Sequence, residues 1–336
     1  MKHQLLNMCI LFLLLCSCSK EDALTPSAPS TPPAPPVKIW SNLASMPTAR
    51  HDFGFVECNN LLYAVGGYNA DGLNKVEAYD PASDKWTTKK AMPTARGYLV
   101  VASVANKIYA IGGITGGDLN NITYINATEE YDPVSDTWTK KSPIPIEAVA
   151  FNSVLGNLFM TGTAINGKIY VVVGYTEGEV PTYIYDPATD KWTTGKSISK
   201  FNLSPYYSTA SENDLYVTNG DHFLKYSPSD DDWRELPLPL TSVLGSVYNS
   251  CLTSYNNNIY CIGGLLYNAG ASINSGDAEH YDAVNSIWTE DSSLNTERNA
   301  AAAVVYKDKL YVAGGAVIQP NYTNVPIPNL EAIQLK

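Results

Sequence analysis

The sequence predicts an all-β protein, a ring of six four-stranded antiparallel sheets, and three observations point there. One octapeptide recurs: YDPASDKW at 79–86, YDPVSDTW at 131–138, YDPATDKW at 185–192, YSPSDDDW at 226–233 and YDAVNSIW at 281–288. The six tryptophans, Trp40, Trp86, Trp138, Trp192, Trp233 and Trp288, follow one another at 46, 52, 54, 41 and 55 residues, the period of a repeated supersecondary unit. After each tryptophan an apolar run ends in glycine: LLYAVGG at Gly67, KIYAIGG at Gly113, KIYVVVG at Gly174, DLYVTNG at Gly220, NIYCIGG at Gly264 and KLYVAGG at Gly315.

Each part of the repeat has a physical reason. The runs are short, rich in β-branched and aromatic residues, and apolar on both sides of the pleat, as strands between neighbouring sheets must be. Glycine at the strand end permits positive φ and close backbone approach. Tyrosine and tryptophan fill the widening gap between sheets while their OH and NH find partners. Asp80-Pro81 supplies an acceptor and a preset φ for the turn, so the octapeptide joins the third strand of a sheet to the fourth. KIWSNLASMP at 38–47 reads as a fourth strand, and NLEAIQLK at 329–336 as a third. Their pairing completes one sheet and closes the ring without a free edge.

The combination of paired glycines, the Tyr-Asp-Pro turn and the spaced tryptophan resembles the kelch repeat over residues 40–336. The resemblance implies a six-bladed kelch-type β-propeller with four antiparallel strands per blade, closed by the N-terminal strand on the C-terminal blade. Val173-Gly174 and Asn219-Gly220 depart from the glycine pair, and Ala283 stands where proline is usual.

Composition bounds the function. A chain of 336 residues with 45% apolar and 16% charged residues buries a large core. A net charge of −11 excludes nucleic acid as an expected partner. Residues 1–17 read as a signal peptide, with an apolar run too short to span a bilayer. The Ser17-Cys18 junction resembles a bacterial lipobox with Cys18 lipidated, and Lys20-Glu21-Asp22 resembles the surface-export signal of Bacteroidetes lipoproteins. Residues 18–37 form a proline-rich tether of polyproline character. The expectation is a monomeric outer-membrane lipoprotein, exposed at the cell surface or facing the periplasm, that meets the membrane only through its anchor.

Loop lengths select a face. From the last strand-two glycine to the next repeat tyrosine the span is 12, 18, 11, 6 and 17 residues in blades one to five, whereas the Tyr–Trp turn is always seven. Connections after strands two and four lie on one side of an antiparallel blade, so the variation gathers there as in repeat-built binding surfaces. Arg50, Arg96 and Arg298 each precede a strand-two tyrosine by 13 residues. Two roles stay open for them: tying loop backbones together, or, as the kelch resemblance implies, binding a carboxylate or peptide at the channel mouth. Tyr68, Asn69, Asp71, Tyr175, Asp221, His222 and Tyr322 belong to the same rim.

Metal chemistry finds no ligand spacing among His3, His51, His222 and His280, and no cofactor is expected. Asp230-Asp231-Asp232 reads as a solvated turn or a calcium site. Cys251 and Cys261 flank a turn, as free thiols or a cross-strand disulfide. Two function classes follow: a module binding a glycan, peptide or protein, and, by resemblance to six-bladed kelch sialic acid mutarotases such as N-acetylneuraminate epimerase, a sugar epimerase using Glu147 or Glu177 as its base.

Overall fold

Six continuous apolar strands, each followed by a turn and a partner, produce six sheets in the computed structural model, which describes residues 38–116, 122–146, 160–173, 180–198, 207–240, 246–268, 271–321 and 323–336. Blade one is β2 (Gly54–Cys58), β3 (Leu61–Val65), β6 (Val76–Asp80) and β7 (Lys85–Thr88). Blade two is β8 (Val100–Val104), β9 (Lys107–Ile111), β12 (Thr128–Asp132) and β13 (Thr137–Lys141). Blade three holds β14 (Met160–Ile165), β15 (Lys168–Val173), β16 (Val180–Asp186) and β17 (Lys191–Ile198). Blade four holds β18 (Tyr207–Ser211), β19 (Asp214–Thr218), β20 (Phe223–Ser227) and β21 (Asp232–Leu236). Blade five comprises β23 (Cys251–Tyr255), β24 (Asn258–Asn268), β25 (Ala271–Asp282) and β26 (Ile287–Asp291), with β22 (Ser246–Tyr248) on the far half of β24. Blade six is β27 (Ala302–Tyr306), β28 (Lys309–Ala313) and β31 (Leu330–Gln334), completed by β1 (Ser41–Leu43).

Closure occurs as the sequence predicts: β1 pairs antiparallel with β31, Ser41 opposite Ala332 and Leu43 opposite Leu330. The Trp40 indole donates to the Ser292 carbonyl at 2.6 Å, which ties it to blade five. The second strands are buried on both faces, with Leu62, Ala64 and Val65 at 0% exposure. The outer strands are mostly exposed. The two-residue turns after the innermost strands, Asn59-Asn60, Ala105-Asn106, Asn256-Asn257 and Lys307-Asp308, hold positive φ at both positions, the requirement of a type I′ hairpin. They keep one face of the ring short.

The octapeptide does more than turn the chain. Its tyrosine and tryptophan are cross-strand partners, with ring centroids 4.9 to 5.4 Å apart. Its sixth residue is an aspartate that accepts the tyrosine hydroxyl: Tyr79 to Asp84 at 2.7 Å, Tyr131 to Asp136 at 2.5 Å, Tyr185 to Asp190 at 2.7 Å and Tyr226 to Asp231 at 2.6 Å. The same carboxylate oxygen takes a backbone N–H from the preceding blade, from Ala44, Lys90, Ser142 or Lys196. The tryptophan indole donates to the carbonyl of that same residue. Each repeat therefore staples its blade to the one before. In blade five the indole of Trp288 bonds the Pro237 carbonyl at 2.8 Å. Proline has no N–H to give, and Ser286 stands where the others have aspartate. Asp231, within the acidic run 230–232, thus serves a blade-to-blade staple. Cys58, Cys251 and Cys261 are buried free thiols.

The Tyr131 hydroxyl, followed by the Lys90 amide, holds the Asp136 carboxyl below the usual range. Its stabilisation is therefore complete above the unfolded carboxyl value of about 4 and is lost as pH falls through the lower folded value. Asp136→Ala should lower the unfolding free energy at neutral pH by about 0.5–1.5 kcal/mol, solvent screening the exposed carboxylate, read by urea titration. The variant's melting temperature should fall less between neutral and acid pH than the wild type's.

Candidate functional site at the channel mouth

Adjacent blades approach closely where the glycine pairs meet the segments leading into the innermost strands. The second glycine donates to the main-chain carbonyl of the next blade's arginine: Gly67 to Arg96 at 2.9 Å, Gly264 to Arg298 at 2.8 Å and Gly315 to Arg50 at 2.9 Å. A Cβ on the first glycine would stand 2.6–2.7 Å from that same carbonyl at Gly66, Gly263 and Gly314, all at positive φ. No side chain fits there, so the glycine pair is a packing requirement.

The arginine side chains turn inward. Arg50, Arg96 and Arg298 are 0% exposed. Arg50 Nη2 pairs with Glu77 Oε2 at 2.5 Å, and Nη1 donates to the Gly66 and Lys75 carbonyls at 3.0 and 3.1 Å. Arg96 pairs with Glu129 at 2.9 Å and donates to the Ala110 carbonyl. Arg298 pairs with Glu331 and reaches the Gly314 and Asn329 carbonyls. Burial pulls the Arg50 and Arg96 pKa values down against the opposing pull of Glu77 and Glu129, and brings Arg298 to about 10, still charged at neutral pH. Of the two roles left open for these arginines, the contacts fit the first: each is bonded within its own blade, Arg50 and Arg298 to carbonyls of the connection after strand two and Arg96 to the strand-two carbonyl of Ala110, and all three to a third-strand glutamate.

Two residues further on, the chain does reach the mouth. Asp52, Tyr98, Asn249 and Ala300 occupy equivalent positions in blades one, two, five and six, each at φ between 50 and 59°. Their backbones link blade to blade: Tyr98 N–H to the Asp52 carbonyl at 2.9 Å, Asp52 to Ala300 at 3.1 Å, and Ala300 to Asn249 at 2.8 Å. Non-glycine residues in this region are uncommon and bear a conformational cost. The arc aims the side chains of Asp52, Tyr98 and Asn249 at one spot, where Tyr207 of blade four joins them.

Asp52 is the centre of this group. Its Oδ2 lies 2.6 Å from His51 Nδ1, and its Oδ1 accepts the Tyr207 hydroxyl at 3.4 Å. The Tyr98 hydroxyl also bonds this carboxylate. The Asp52 charge, with burial, raises the Tyr98 pKa; burial first, then Asp52, drives Tyr207 well above its ordinary value. Both phenols therefore stay protonated donors at neutral pH. Asp52, Tyr98 and Tyr207 border a cavity of about 140 Å³ whose walls include Phe53, Leu99, Met160 and Ala301. Below it runs a second cavity of about 340 Å³ along the innermost strands, lined by Ser103, Thr163, Ser208 and Thr253.

Secondary hairpins rise around the mouth. β4 (Tyr68–Asn69) pairs with β5 (Asp71–Gly72), β10 (Ile114–Thr115) with β11 (Thr123–Tyr124), and β29 (Ala316–Ile318) with β30 (Asn324–Pro326). In blade five, β24 and β25 run on past their bulge to pair Asn268 with Ala271. Bridges from His51 to Tyr68, Gly97 to Ile114 and Asn299 to Ala316 seat three of these hairpins on the arc.

Of the rim residues predicted from sequence, Asn69, Asp71 and Asp221 are exposed. Asn69 donates to the Ala49 carbonyl at 2.9 Å, Asp71 accepts the Gly72 N–H, and Asp221 accepts the Tyr248 hydroxyl at 3.3 Å. Tyr68 is buried, stacks on His51 at 6.2 Å and donates to the Gly116 carbonyl. His222 bonds Glu235 at 2.8 Å. Cys18, Glu147, Tyr175, Glu177 and Tyr322 lie outside the described residues. Among the described residues no group of three or more His, Cys, Asp or Glu could hold a metal. Sequence reasoning passed over Asp52, Tyr98, Tyr207 and Asn249. The first two share a register two positions after an arginine, which the counted spacing contains.

The Kelch motif family model matches residues 49–93 and 95–145. The chain carries kelch repeats on a six-bladed propeller. It is 28% identical to human Kelch-like protein 23 over 157 residues, 44% of this chain and 27% of that protein. It is 27% identical to Beta-scruin of Limulus polyphemus over 235 residues, 63% of this chain and 24% of that one. The propeller thus spans about a quarter of these relatives' own length. A solved structure titled "Structure of YjhT" superimposes with a TM-score of 0.68 at 16% identity, covering 86% of this chain and 95% of that one, a likeness of fold.

Removing the anion from a buried pair leaves the cation uncompensated. Glu77→Gln should therefore cost about 3–5 kcal/mol of stability, measured by denaturant unfolding. Replacing both partners, Arg50→Met with Glu77→Leu, should recover only part of that loss, because the Gly66 and Lys75 carbonyls remain unpaired.

Proposed function

We propose that this kelch-repeat propeller is a non-catalytic binding module of the cell envelope. It takes a protein, peptide or glycan on the rim around the channel mouth. The observation that supports it best is the placement, among the described residues, of four extra hairpins on one face of the ring, against two-residue turns on the other. Kelch propellers generally serve as protein-binding scaffolds, and the rim offers what such a surface uses. Tyr267, Ile273 and Val325 stand 45–56% exposed on the hairpins of blades five and six, beside the exposed Asn69, Asp71 and Asp221. Apolar side chains rimmed by polar ones are the composition of an interaction surface.

Lipid on Cys18 and the tether 18–37 would hold this module at the outer membrane, facing the cell exterior. The competing sugar-epimerase reading rests on family resemblance, and its bases, Glu147 and Glu177, lie outside the described residues.

Glycan and peptide arrays probed with the intact protein should return ligands whose affinity drops roughly tenfold in the double variant Ile273→Asp, Val325→Asp. Ligands that ignore this change, or sialic acid anomer exchange abolished by Glu147→Gln or Glu177→Gln, would replace the binding reading. Metabolic labelling with palmitate should mark the wild type and leave Cys18→Ser unlabelled and released from membranes.

A further inference from the structure

The mouth cluster gathers the oxygens of Asp52 and Asn249 around two phenols, and the Tyr98 hydroxyl is already given to Asp52. Tyr207 carries one hydroxyl proton and stands 3.4 Å from both Asp52 Oδ1 and Asn249 Oδ1. It can satisfy one of the two at a time. Asp52 is an anion with a side chain only 6% exposed, and among the described residues its one ion-pair partner is His51, which is charged only when protonated. The neighbouring Arg50 is engaged by Glu77 and two carbonyls. Aromatic rings complete the surroundings: His51 stacks on Tyr68, whose centroid is 5.6 Å from that of Tyr98, and Phe53 lines the cavity wall.

We propose that the cavity beneath the rim binds an organic ammonium group, with Asp52 and Tyr207, which line it, and Asn249, adjacent to Tyr207, as its acceptors. An ammonium has three N–H donors and no acceptor, the complement of three convergent oxygens. Its charge neutralises the buried carboxylate, and aromatic faces favour a desolvated cation. A cavity of about 140 Å³ admits an aminoalkyl head and its first methylenes. The net charge of −11 draws cations toward the protein. The ammonium has two natural sources, a free small amine and the lysine side chain of a protein held by the rim. The inference deepens the binding reading above and rests on it.

The test titrates the intact protein with n-butylamine and with the peptide acetyl-Gly-Lys-Gly-amide, followed by the amide resonances of Asp52, Tyr98 and Asn249. n-Butanol and the Nε-acetylated peptide are the neutral controls. Both amines should shift these resonances and the controls should not. Asp52→Asn should weaken amine binding by roughly tenfold or more, and Tyr207→Phe by a few-fold. Asn249→Asp, which adds a second anion at a position whose positive φ aspartate tolerates, should tighten it. A peptide that binds much better than n-butylamine identifies lysine as the source; equal affinities identify a free amine. Controls that bind as well as the amines, or Asn249→Asp and Asp52→Asn both without effect, overturn the ammonium site. Rim ligands found on the arrays would survive that result, so the two readings fail separately.

Discussion

The close approach of neighbouring blades at the paired glycines is the constraint from which the rest of the architecture follows. A wedge-shaped sheet must bring its second strand within hydrogen-bonding reach of the next blade, and the Gly-to-arginine-carbonyl bonds at 2.8–2.9 Å show how tight that seam is. The same arginine then needs somewhere to put its side chain. It folds back into its own blade, neutralised by Glu77, Glu129 or Glu331, and caps carbonyls that the turn leaves bare. A buried ion pair is not by itself a source of stability; here the guanidinium donors of Arg50 and Arg298 organise an irregular connection that has no sheet to satisfy it. From that fixed point the chain takes two more residues and enters positive φ at Asp52, Tyr98 and Ala300; Asn249 does the same in blade five, where Val247 holds the arginine's place.

The two faces of the ring divide the work. On one, short turns and the Tyr–Asp–Trp staple join each blade to its predecessor with repeated geometry, so length and chemistry scarcely vary. On the other, the seam holds the roots of the hairpins, which leaves their tips free to differ in length from blade to blade. Variation is tolerated where the backbone is already anchored at both ends. A binding surface can diversify there without loosening the ring.

Most of the fold was legible because period carries it. Six tryptophans and six apolar runs give the blade count, and the orphan strands at 38–47 and 329–336 give the closure. The staple was half visible: the tyrosine and tryptophan stand out, but the aspartate between them looks like any turn residue until its second partner, a backbone N–H one blade away, is seen. Ser286 opposite Pro237 makes sense only with both blades in view. The arginines were legible as a register and ambiguous as chemistry, since spacing places a side chain along the chain without saying whether a glutamate waits inside. Asp52, Tyr98, Tyr207 and Asn249 were the hardest to find. They come from four blades, share no motif, and converge only because the ring closes.

Hydrogen exchange of the backbone amides tests the seam most directly. The amides of Gly67, Gly264 and Gly315, with those of Asp52, Tyr98 and Ala300, lie at the end of the molecule that faces solvent, yet each donates across a blade boundary. They should exchange as slowly as the amides of β3, β9 and β28. Exchange at the rate of the β4–β5 and β29–β30 hairpins would contradict the account, because the mouth would then have no rigid base on which to assemble a site.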